Sequence, residues 1–276
     1  MHFLNGKLVE EKDLVISVRD LGFTRGYAVF DFLITYPSHR PFMLSKHIDR
    51  LFNSATMIGL SVPWTKEQIK EWVMQTLDAN NDGSEKQIKI IISGGSAPAL
   101  LPLPNATTIA IMVDPRNAFP AEYYEQGAGI IMDKHMRYLP SAKTNNYIEG
   151  VKQAQRAKDI GAIEAVYYDE TQVFEGTSSN IFAVIDGKLL TPKTNILLGI
   201  TRGVLLEILT LPIPVEVADF GLEALLLAKE VFLASSNKEV MPITKIDGNA
   251  VGDGKVGAIT KEVMQQFAAF TSSHTW

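Results

Sequence analysis

Residues 141–147 read Ser-Ala-Lys-Thr-Asn-Asn-Tyr and place Lys143 between a predicted loop and the predicted helix that follows it. Taken alone, Lys143 is most simply a solvated surface lysine, because most lysines in proteins are exposed. The alternative is a lysine that forms a Schiff base with a carbonyl compound, which requires burial that lowers the pKa of the amine. This segment by itself leaves both interpretations open.

A second segment, residues 174–182, reads Phe-Glu-Gly-Thr-Ser-Ser-Asn-Ile-Phe. In it Glu175 precedes a glycine and a run of hydroxyl residues, and an apolar strand is predicted to follow. The simplest explanation of this pattern is a turn that enters a strand. Alone, Glu175 therefore indicates no particular chemistry.

A third segment, residues 199–203, reads Gly-Ile-Thr-Arg-Gly and opens a helix predicted over residues 204–209. The free backbone amides of a helix N-terminus, together with a threonine hydroxyl, favour a phosphate group. An ordinary threonine cap explains the same residues equally well.

The composition of the 276-residue chain excludes several classes of protein. It is globular, with 46% hydrophobic and 21% charged residues, and its net charge of −5 gives nucleic acid no basic surface. The absence of cysteine excludes disulfides, thiolate metal sites and a catalytic thiol. Apolar runs end well before the ~20 residues of a membrane span. We therefore expect a soluble, cytoplasmic protein that binds neither nucleic acid nor membrane.

The histidines give no indication of a metal site. They are His2, His39, His47, His135 and His274. No two of them have the i, i+4 spacing of a helical zinc site. We interpret His47, which follows Lys46 within a predicted helix, as a solvated or half-buried side chain.

Mixed strands and helices that do not alternate strictly predict an α+β fold. The proline-containing segment 114–120 is the best candidate for a linker, which predicts an N-terminal domain over 1–113 and a C-terminal domain over 121–276. Local signals predict further elements: a hairpin around Asn5-Gly6, a strand over 41–44, a helix over 45–59 capped by Ser45, a helix capped by Thr65 and Gln68, a helix over 145–160, and turns at Asp186-Gly187 and Asp247-Gly248.

Taken together and in this order, the three segments resemble the class IV, or fold type IV, pyridoxal-phosphate-dependent aminotransferases. The resemblance covers nearly the whole chain, from the opening hairpin to the last helix. It implies a two-domain α+β fold with mixed, partly antiparallel sheets and pyridoxal 5′-phosphate as cofactor. It also implies a homodimer in which each active site is completed by residues of the neighbouring subunit.

The resemblance implies a role for each matching residue. Lys143 corresponds to the lysine that binds the cofactor aldehyde covalently and acts as the catalytic base, and Glu175 to the glutamate beside the pyridine nitrogen. Tyr147 resembles a tyrosine that hydrogen-bonds the phenolic oxygen of the cofactor, with a spacing from the lysine that is one residue shorter. The residues implied to lie at or near the phosphate are Arg50, Ile200, Thr201 and Ser236.

The substrate is predicted from residues that differ among members of this family. Phe30 resembles the phenylalanine of branched-chain enzymes, whereas Ala99 and Leu101 stand where D-amino-acid transaminases carry arginine and histidine. Phe30, Leu100 and Leu101 are expected to line an apolar pocket. Lys89 is either an anchor for the substrate carboxylate or a sheet-edge lysine that faces water.

The sequence thus predicts ping-pong transfer of an amino group from a branched-chain or similar apolar L-amino acid to a 2-oxo acid. The first alternative is an aminodeoxychorismate lyase, which would release pyruvate with the same lysine and cofactor. The next alternative is a D-amino-acid or ω-amine transaminase. A member that binds the cofactor without turning over any amino acid is the alternative from another class, and the pairing of Lys143 with Glu175 argues against it.

Overall fold

The computed structural model describes residues 1–273, so His274 lies outside the described residues. The chain divides into two compact units. The first holds residues 1–117 together with 142–146, and the second holds 118–141 and the described residues from 147 onward. Within residues 1–273, none of the helices combines the length and apolar character needed to cross a membrane.

The first unit is built on a six-stranded sheet in which every strand pair is antiparallel and the order is β2-β1-β6-β5-β3-β4. Its strands are β1 (His2–Leu4), β2 (Lys7–Val9), β3 (Ala28–Tyr36), β4 (Arg40–Pro41), β5 (Lys86–Ser93) and β6 (Thr108–Pro115). The predicted hairpin is confirmed, with Asn5 and Gly6 both at positive φ between β1 and β2.

Two longer helices cover the core of this unit. Its helical segments are a 3₁₀ turn (Glu11–Asp13), α1 (Leu21–Arg25), α2 (Leu44–Met57) and α3 (Lys66–Asp78). Apolar side chains of α2 and α3, such as Ile48 and Val73, are fully buried with Leu33 of β3 and Ile90 of β5. This packing leaves one face of α2 directed at the sheet.

Of the two helix caps predicted from the sequence, one is confirmed and the other is wrong. Thr65 and Gln68 form the predicted capping box at the start of α3. The prediction that Ser45 caps α2 is wrong, because the N-cap is Met43, in the left-handed conformation, and the helix already begins at Leu44. The strand predicted over 41–44 therefore ends at Pro41.

Residues 142–146 join the first unit through hydrogen bonds to β3. The backbone N–H of Phe30 donates to the Lys143 carbonyl at 2.9 Å, and the N–H of Asn145 donates to the Ala28 carbonyl at 3.1 Å. The predicted boundary at residue 121 assigns residues 142–146 to the C-terminal domain. The structure instead places them in the first unit, because they pair with β3. For the same reason the helix predicted over 145–160 begins only at Ile148.

The second unit is built on a nine-stranded mixed sheet. Its order is β12-β11-β10-β13-β14-β7-β8-β9, with β15 beside β14, and the pairs β11–β12, β14–β7 and β7–β8 are parallel. Its strands are β7 (Ala128–Lys134), β8 (Glu164–Tyr168), β9 (Val173–Gly176), β10 (Asn180–Ile185), β11 (Lys188–Thr191), β12 (Val215–Val217), β13 (Glu230–Ser235), β14 (Glu239–Ile246) and β15 (Asn249–Ala250).

Five helices accompany this sheet: α4 (Ala121–Gln126), α5 (Ile148–Asp159), α6 (Ile200–Ile208), α7 (Leu222–Leu226) and α8 (Ala258–Ser272). Asp186-Gly187 and Asp247-Gly248 form the two predicted hairpin turns, since they connect the antiparallel pairs β10–β11 and β14–β15. With one antiparallel and one mixed sheet, the α+β prediction is confirmed.

Candidate active site

Lys143 is buried in the first unit, with only 8% of its surface exposed. Its backbone N–H donates to the Ser54 hydroxyl at 3.0 Å, and its Nζ lies 4.5 Å from the centre of the Phe30 ring. The interpretation of Lys143 as a surface lysine is therefore wrong. The segment that carries it is fixed between β3 and α2.

One face of α2 carries three residues of this region. His47, Arg50 and Ser54 recur at helical spacing. His47 contacts Asp31 of β3 through its Nδ1, 2.7 Å from Asp31 Oδ1. Arg50 donates to both carboxylate oxygens of Asp31, from Nε at 2.8 Å and from Nη2 at 2.7 Å. The same helix face thus holds a buried carboxylate and the backbone of Lys143.

The interpretation of His47 as a solvated or half-buried side chain is wrong. His47 and Asp31 are both completely buried. Burial alone raises the pKa of Asp31, but the positive charge of Arg50 and the contact with His47 outweigh it and hold this pKa well below its usual range. Burial lowers the pKa of His47, and Asp31 only partly opposes this effect. Asp31 is therefore ionised and His47 neutral near pH 7.

Sequence reasoning missed Asp31, although a signal for it exists. On the core-facing row of β3, the side chains of Val29, Leu33 and Thr35 are all completely buried, and Asp31 lies between them. A lone carboxylate among buried strand residues requires a buried cation or several hydrogen-bond donors. The position of Asp31 in the alternation of the strand therefore indicates such a partner.

Lys89 lies on the same side of the sheet as Phe30. Its Nζ is 5.1 Å from the centre of the Phe30 ring, so the ammonium groups of Lys89 and Lys143 both lie near that ring. The explanation of Lys89 as a sheet-edge lysine is wrong, because β5 is paired with β3 and β6 on its two sides. Lys89 is half-buried within the sheet.

The predicted apolar pocket of Phe30, Leu100 and Leu101 does not form within the first unit. Leu100 and Leu101 are 71% and 79% exposed and line a cavity of about 550 Å³ that does not include Phe30. Arg19 and Arg25, which sequence reasoning missed, also line this cavity. Two arginines thus line the same cavity as the loop for which the sequence predicts only apolar lining residues.

In the second unit Glu175 lies in β9 and is 3% exposed. Its Oε1 accepts a hydrogen bond from Arg137 Nη1 at 3.0 Å, and its Oε2 accepts one from the backbone N–H of Leu197 at 2.9 Å. The Arg137 guanidinium also lies 5.8 Å from the centre of the Tyr147 ring. Arg137, which no local motif indicated, thus connects Glu175 with Tyr147.

Thr201 lies in the first turn of α6, with its hydroxyl buried and without a hydrogen-bond partner among the described residues. The cap interpretation of Thr201 is wrong, because the N-cap is Gly199 and Ile200 is the first helical residue. A side chain at Gly199 would overlap Asn180 Oδ1, so a larger residue at the start of α6 would displace the buried Asn180 side chain. The turn therefore presents a buried hydroxyl that still lacks a partner.

Ser236 is half-buried in the turn between β13 and β14, next to a buried ion pair. Lys238 Nζ lies 3.1 Å from Glu164 Oε2 and donates to the Ser178 hydroxyl at 2.9 Å. Burial alone raises the pKa of Glu164, but Lys238 and the hydroxyl of Ser179 hold it below its usual range. This ion pair fixes the turn of Ser236 to the residues that follow Glu175.

The fold is that of a class IV aminotransferase. The family model described as amino-transferase class IV matches residues 28–246, and the chain belongs to this family. The D-alanine aminotransferase of Staphylococcus epidermidis is 35% identical over 99% of this chain and 98% of its own length. A putative branched-chain-amino-acid aminotransferase of Methanocaldococcus jannaschii is 34% identical over 96% of this chain and 94% of its own length.

Among solved structures, the branched-chain amino acid aminotransferase of Escherichia coli superimposes with a TM-score of 0.91. It is 27% identical, over 100% of this chain and 96% of its own. Class IV aminotransferases depend on pyridoxal 5′-phosphate, and this chain is accordingly a pyridoxal-phosphate-dependent aminotransferase.

The residues present fit this cofactor. A buried amine on Lys143 suits its aldehyde, and a buried carboxylate on Glu175 suits its pyridine nitrogen. The unpartnered hydroxyl of Thr201, at the N-terminal turn of α6, suits a phosphate oxygen. Each group matches one polar function of the cofactor.

Proposed function

We propose that this aminotransferase moves the amino group of a branched-chain or similarly apolar L-amino acid to a 2-oxo acid by a ping-pong mechanism. The observation that carries the proposal is the burial of Lys143, whose amine lies against the Phe30 ring and whose backbone is held by Ser54. A lysine held inside the fold beside an aromatic ring is suited to a Schiff base with a carbonyl compound rather than to contact with solvent.

The residues act in distinct steps. Lys143 would hold the aldehyde group of the cofactor through its Nζ. The same Nζ, when it is not bonded to the cofactor, would take the proton from the substrate Cα as general base. Pyridoxal 5′-phosphate supplies, when bound, the electron sink that accepts the charge left on this carbon. Glu175 keeps the pyridine nitrogen protonated through its adjacent negative charge.

The remaining predicted residues hold the cofactor in place. Arg50 binds the phosphate through its guanidinium, which suits bidentate contact with phosphate oxygens. Ile200 and Thr201 offer backbone amides and a hydroxyl at the start of α6. Ser236 supplies a further hydroxyl near the phosphate, and Tyr147 donates to the phenolic oxygen.

Two residues of the first unit bind the substrate in this proposal. The Phe30 ring forms an apolar wall for the side chain, and the ammonium group of Lys89 anchors the carboxylate. The 5.1 Å between Lys89 Nζ and the centre of that ring supports both roles, since one face of the sheet carries them together. An apolar wall beside a cation matches an apolar amino acid.

A second candidate is a D-amino-acid transaminase. It is favoured by the D-alanine aminotransferase that is 35% identical over 99% of this chain. Ala99 and Leu101 lack the polar groups expected for it, but Arg19 and Arg25 line the cavity beside these residues. Guanidinium groups at this loop are suited to a carboxylate.

We further propose that the protein acts as a homodimer. Several large apolar residues of the first unit are exposed, and three of them, Val18, Leu100 and Leu101, line one cavity. Exposed apolar patches are typical of protein interfaces. The exposed residues are Val15, Ile16, Val18, Phe23, Leu100 and Leu101. Light scattering coupled to size-exclusion chromatography is expected to give twice the mass of the chain, and a monomer would contradict this proposal.

The experiment that tests the substrate is an absorbance spectrum of the holoenzyme before and after L-leucine, D-alanine or aminodeoxychorismate is added. Loss of the cofactor's long-wavelength band with L-leucine, and its return with 2-oxoglutarate, is the expected result. Loss with D-alanine alone establishes the second candidate. Pyruvate release from aminodeoxychorismate without lasting bleaching replaces both with a lyase. Lys143→Ala is the control in each case.

A further inference from the structure

The buried carboxylate of Asp31 has a neutral partner as well as a cationic one. Arg50 donates to both of its oxygens, and His47 Nδ1 lies 2.7 Å from Oδ1. Oδ1 therefore accepts from Arg50 and from His47 at the same time. The ion pair needs only Arg50 for its charge balance, so the imidazole has a different role.

The protonation state of His47 defines the direction of its hydrogen bond. A neutral imidazole carries a single N–H, and Asp31 Oδ1 can only accept, so the proton lies on Nδ1. Burial, Arg50 and Lys143 all disfavour the charged form of His47. His47 thus donates a hydrogen bond to Asp31 without adding a charge.

The other ring nitrogen, Nε2, makes no hydrogen bond within the described part of the chain. Nε2 is also buried. A buried acceptor without a donor costs free energy, which an apolar side chain at this position would avoid. Arg50 Nη2 also lies 3.4 Å from Nδ1, but it cannot donate to a nitrogen that already carries a proton. The hydrogen bond from Nδ1 to Asp31 therefore accounts for an imidazole at position 47.

We propose that His47 is a positioning residue for Arg50. Its Nδ1–H fixes the plane of the Asp31 carboxylate, and the carboxylate in turn fixes the guanidinium through two hydrogen bonds. This inference rests on the proposed function, in which Arg50 binds the cofactor phosphate. A guanidinium held in one orientation loses less conformational entropy when phosphate binds.

Two substitutions separate the donor from the bulk of the side chain. His47→Asn places an amide N–H near the position of Nδ1, so it keeps the donor to Asp31. His47→Gln extends its amide toward the position of Nε2 and loses that donor. We would measure the affinity of the full-length apoprotein for pyridoxal 5′-phosphate and for pyridoxal, which lacks the phosphate. The ³¹P resonance of the bound cofactor is the second measurement.

We expect His47→Gln to weaken pyridoxal 5′-phosphate binding roughly 10- to 100-fold, the size of loss that follows when a residue that orients a metal ligand is removed. The variant's affinity for pyridoxal should change by less than about twofold, because the phosphate is the only part of the cofactor that Arg50 contacts in the proposed site. His47→Asn should stay within about threefold of the wild type for both compounds and keep the wild-type ³¹P shift.

Arg50→Ala separates failure of this inference from failure of the proposed function. If Arg50→Ala weakens both compounds equally, Arg50 does not bind the phosphate, and the proposed role of Arg50 is wrong. If Arg50→Ala acts on the phosphate compound alone while His47→Gln weakens both equally or neither, His47 is not a positioning residue. His47→Leu, which also lacks the donor, gives the same comparison if the glutamine variant does not fold.

Discussion

The backbone N–H of Lys143 donates a hydrogen bond of 3.0 Å to the hydroxyl of Ser54, which lies 89 positions earlier in the chain. Ser54 is buried on α2, two helical turns after His47 on the same face. A single helix therefore fixes the backbone of the predicted catalytic lysine and carries the arginine predicted to bind the phosphate.

Ser54→Ala is expected to destabilise the apoprotein by about 1–3 kcal/mol, because it leaves the buried N–H of Lys143 without its acceptor. Denaturant unfolding followed by circular dichroism measures this difference. Ser45→Ala is the matched control, since Ser45 lies on the same helix and caps nothing. Equal effects of the two substitutions would show that the hydrogen bond contributes nothing specific.

Lys143→Ala is expected to lower the rate of amino transfer about 10²- to 10⁴-fold or more, since it removes both the nucleophile and the general base. Borohydride reduction followed by mass spectrometry should find no cofactor attached to the chain, although some cofactor still binds. Lys152→Ala, at an exposed lysine, is the control. Normal turnover in the Lys143 variant would refute the assignment.

Glu175→Gln preserves the shape of the side chain and its acceptor for Leu197 but removes the charge. We expect cofactor to remain bound while proton removal from Cα slows roughly 100-fold or more, because the pyridine nitrogen loses the adjacent negative charge that favours its protonated form. Stopped-flow absorbance with α-deuterated substrate isolates that step. Glu125→Gln, at an exposed position, should leave the rate unchanged. A rate of proton removal close to that of the wild type would contradict the proposed role of Glu175.

Thr201→Val should change apoprotein stability and cofactor affinity in opposite directions. Since the Thr201 hydroxyl is buried without a partner among the described residues, its replacement by a methyl group should stabilise the apoprotein by about 1 kcal/mol. The same change should weaken cofactor binding about tenfold. Thermal unfolding and cofactor titration measure the two effects.

The matched control is Thr260→Val. In the wild-type protein the buried hydroxyl of Thr260 donates a hydrogen bond to Glu230 at 2.8 Å. This substitution should destabilise the apoprotein, since it leaves a carboxylate oxygen with one donor fewer. Stability losses of similar size in both variants would contradict the view that the Thr201 hydroxyl lacks a partner in the apoprotein.

Asp31→Asn is expected to destabilise the protein by about 3–5 kcal/mol near pH 7, because it removes the counterion of Arg50 from a buried pair. The pKa of Asp31 is lower in the folded than in the unfolded chain. The ionised Asp31 carboxylate therefore contributes fully to the free energy of unfolding above the unfolded pKa of about 4. This contribution is lost as the pH falls from there through the lower pKa of the folded chain. The difference between wild type and variant should shrink over that acidic range in denaturant unfolding.

Asp49→Asn is the control for this pH dependence. Asp49 lies on α2 and pairs with Lys66 in an exposed ion pair. Such pairs contribute little, so this substitution should change stability slightly at every pH. A difference for Asp31→Asn that stays constant down to strongly acidic pH would contradict the assigned ion pair.

The features predicted correctly from the sequence depend on residues close together in the chain. The Asn5-Gly6 and Asp186-Gly187 turns and the capping box of Thr65 and Gln68 each involve only a few neighbouring residues. Ser45 was predicted wrongly, because the chain enters α2 with Met43 in the left-handed conformation, which no local pattern indicates. Short-range hydrogen bonds leave a signal in the sequence, whereas the direction in which a chain enters a helix does not.

The burial and pairing of charged side chains could not be predicted in the same way. His47 is buried because Asp31, on another element, accepts its hydrogen bond. Lys89 is held within the sheet because β3 and β6 both pair with its strand. Arg137 contacts Glu175 across 38 positions of the chain. Each outcome depends on a partner that only the folded chain brings near.

The sequence by itself determined the family, the cofactor and the mixed α+β architecture, since these follow from short motifs and from local hydrophobic patterns. The tertiary structure decided that Lys143 is buried beside β3 and that Arg50 shares Asp31 with His47. It also decided that the hydroxyl of Thr201 remains without a partner among the described residues. The physical reason is that desolvation and counterions set the chemistry of a side chain, and both are supplied by segments distant in sequence.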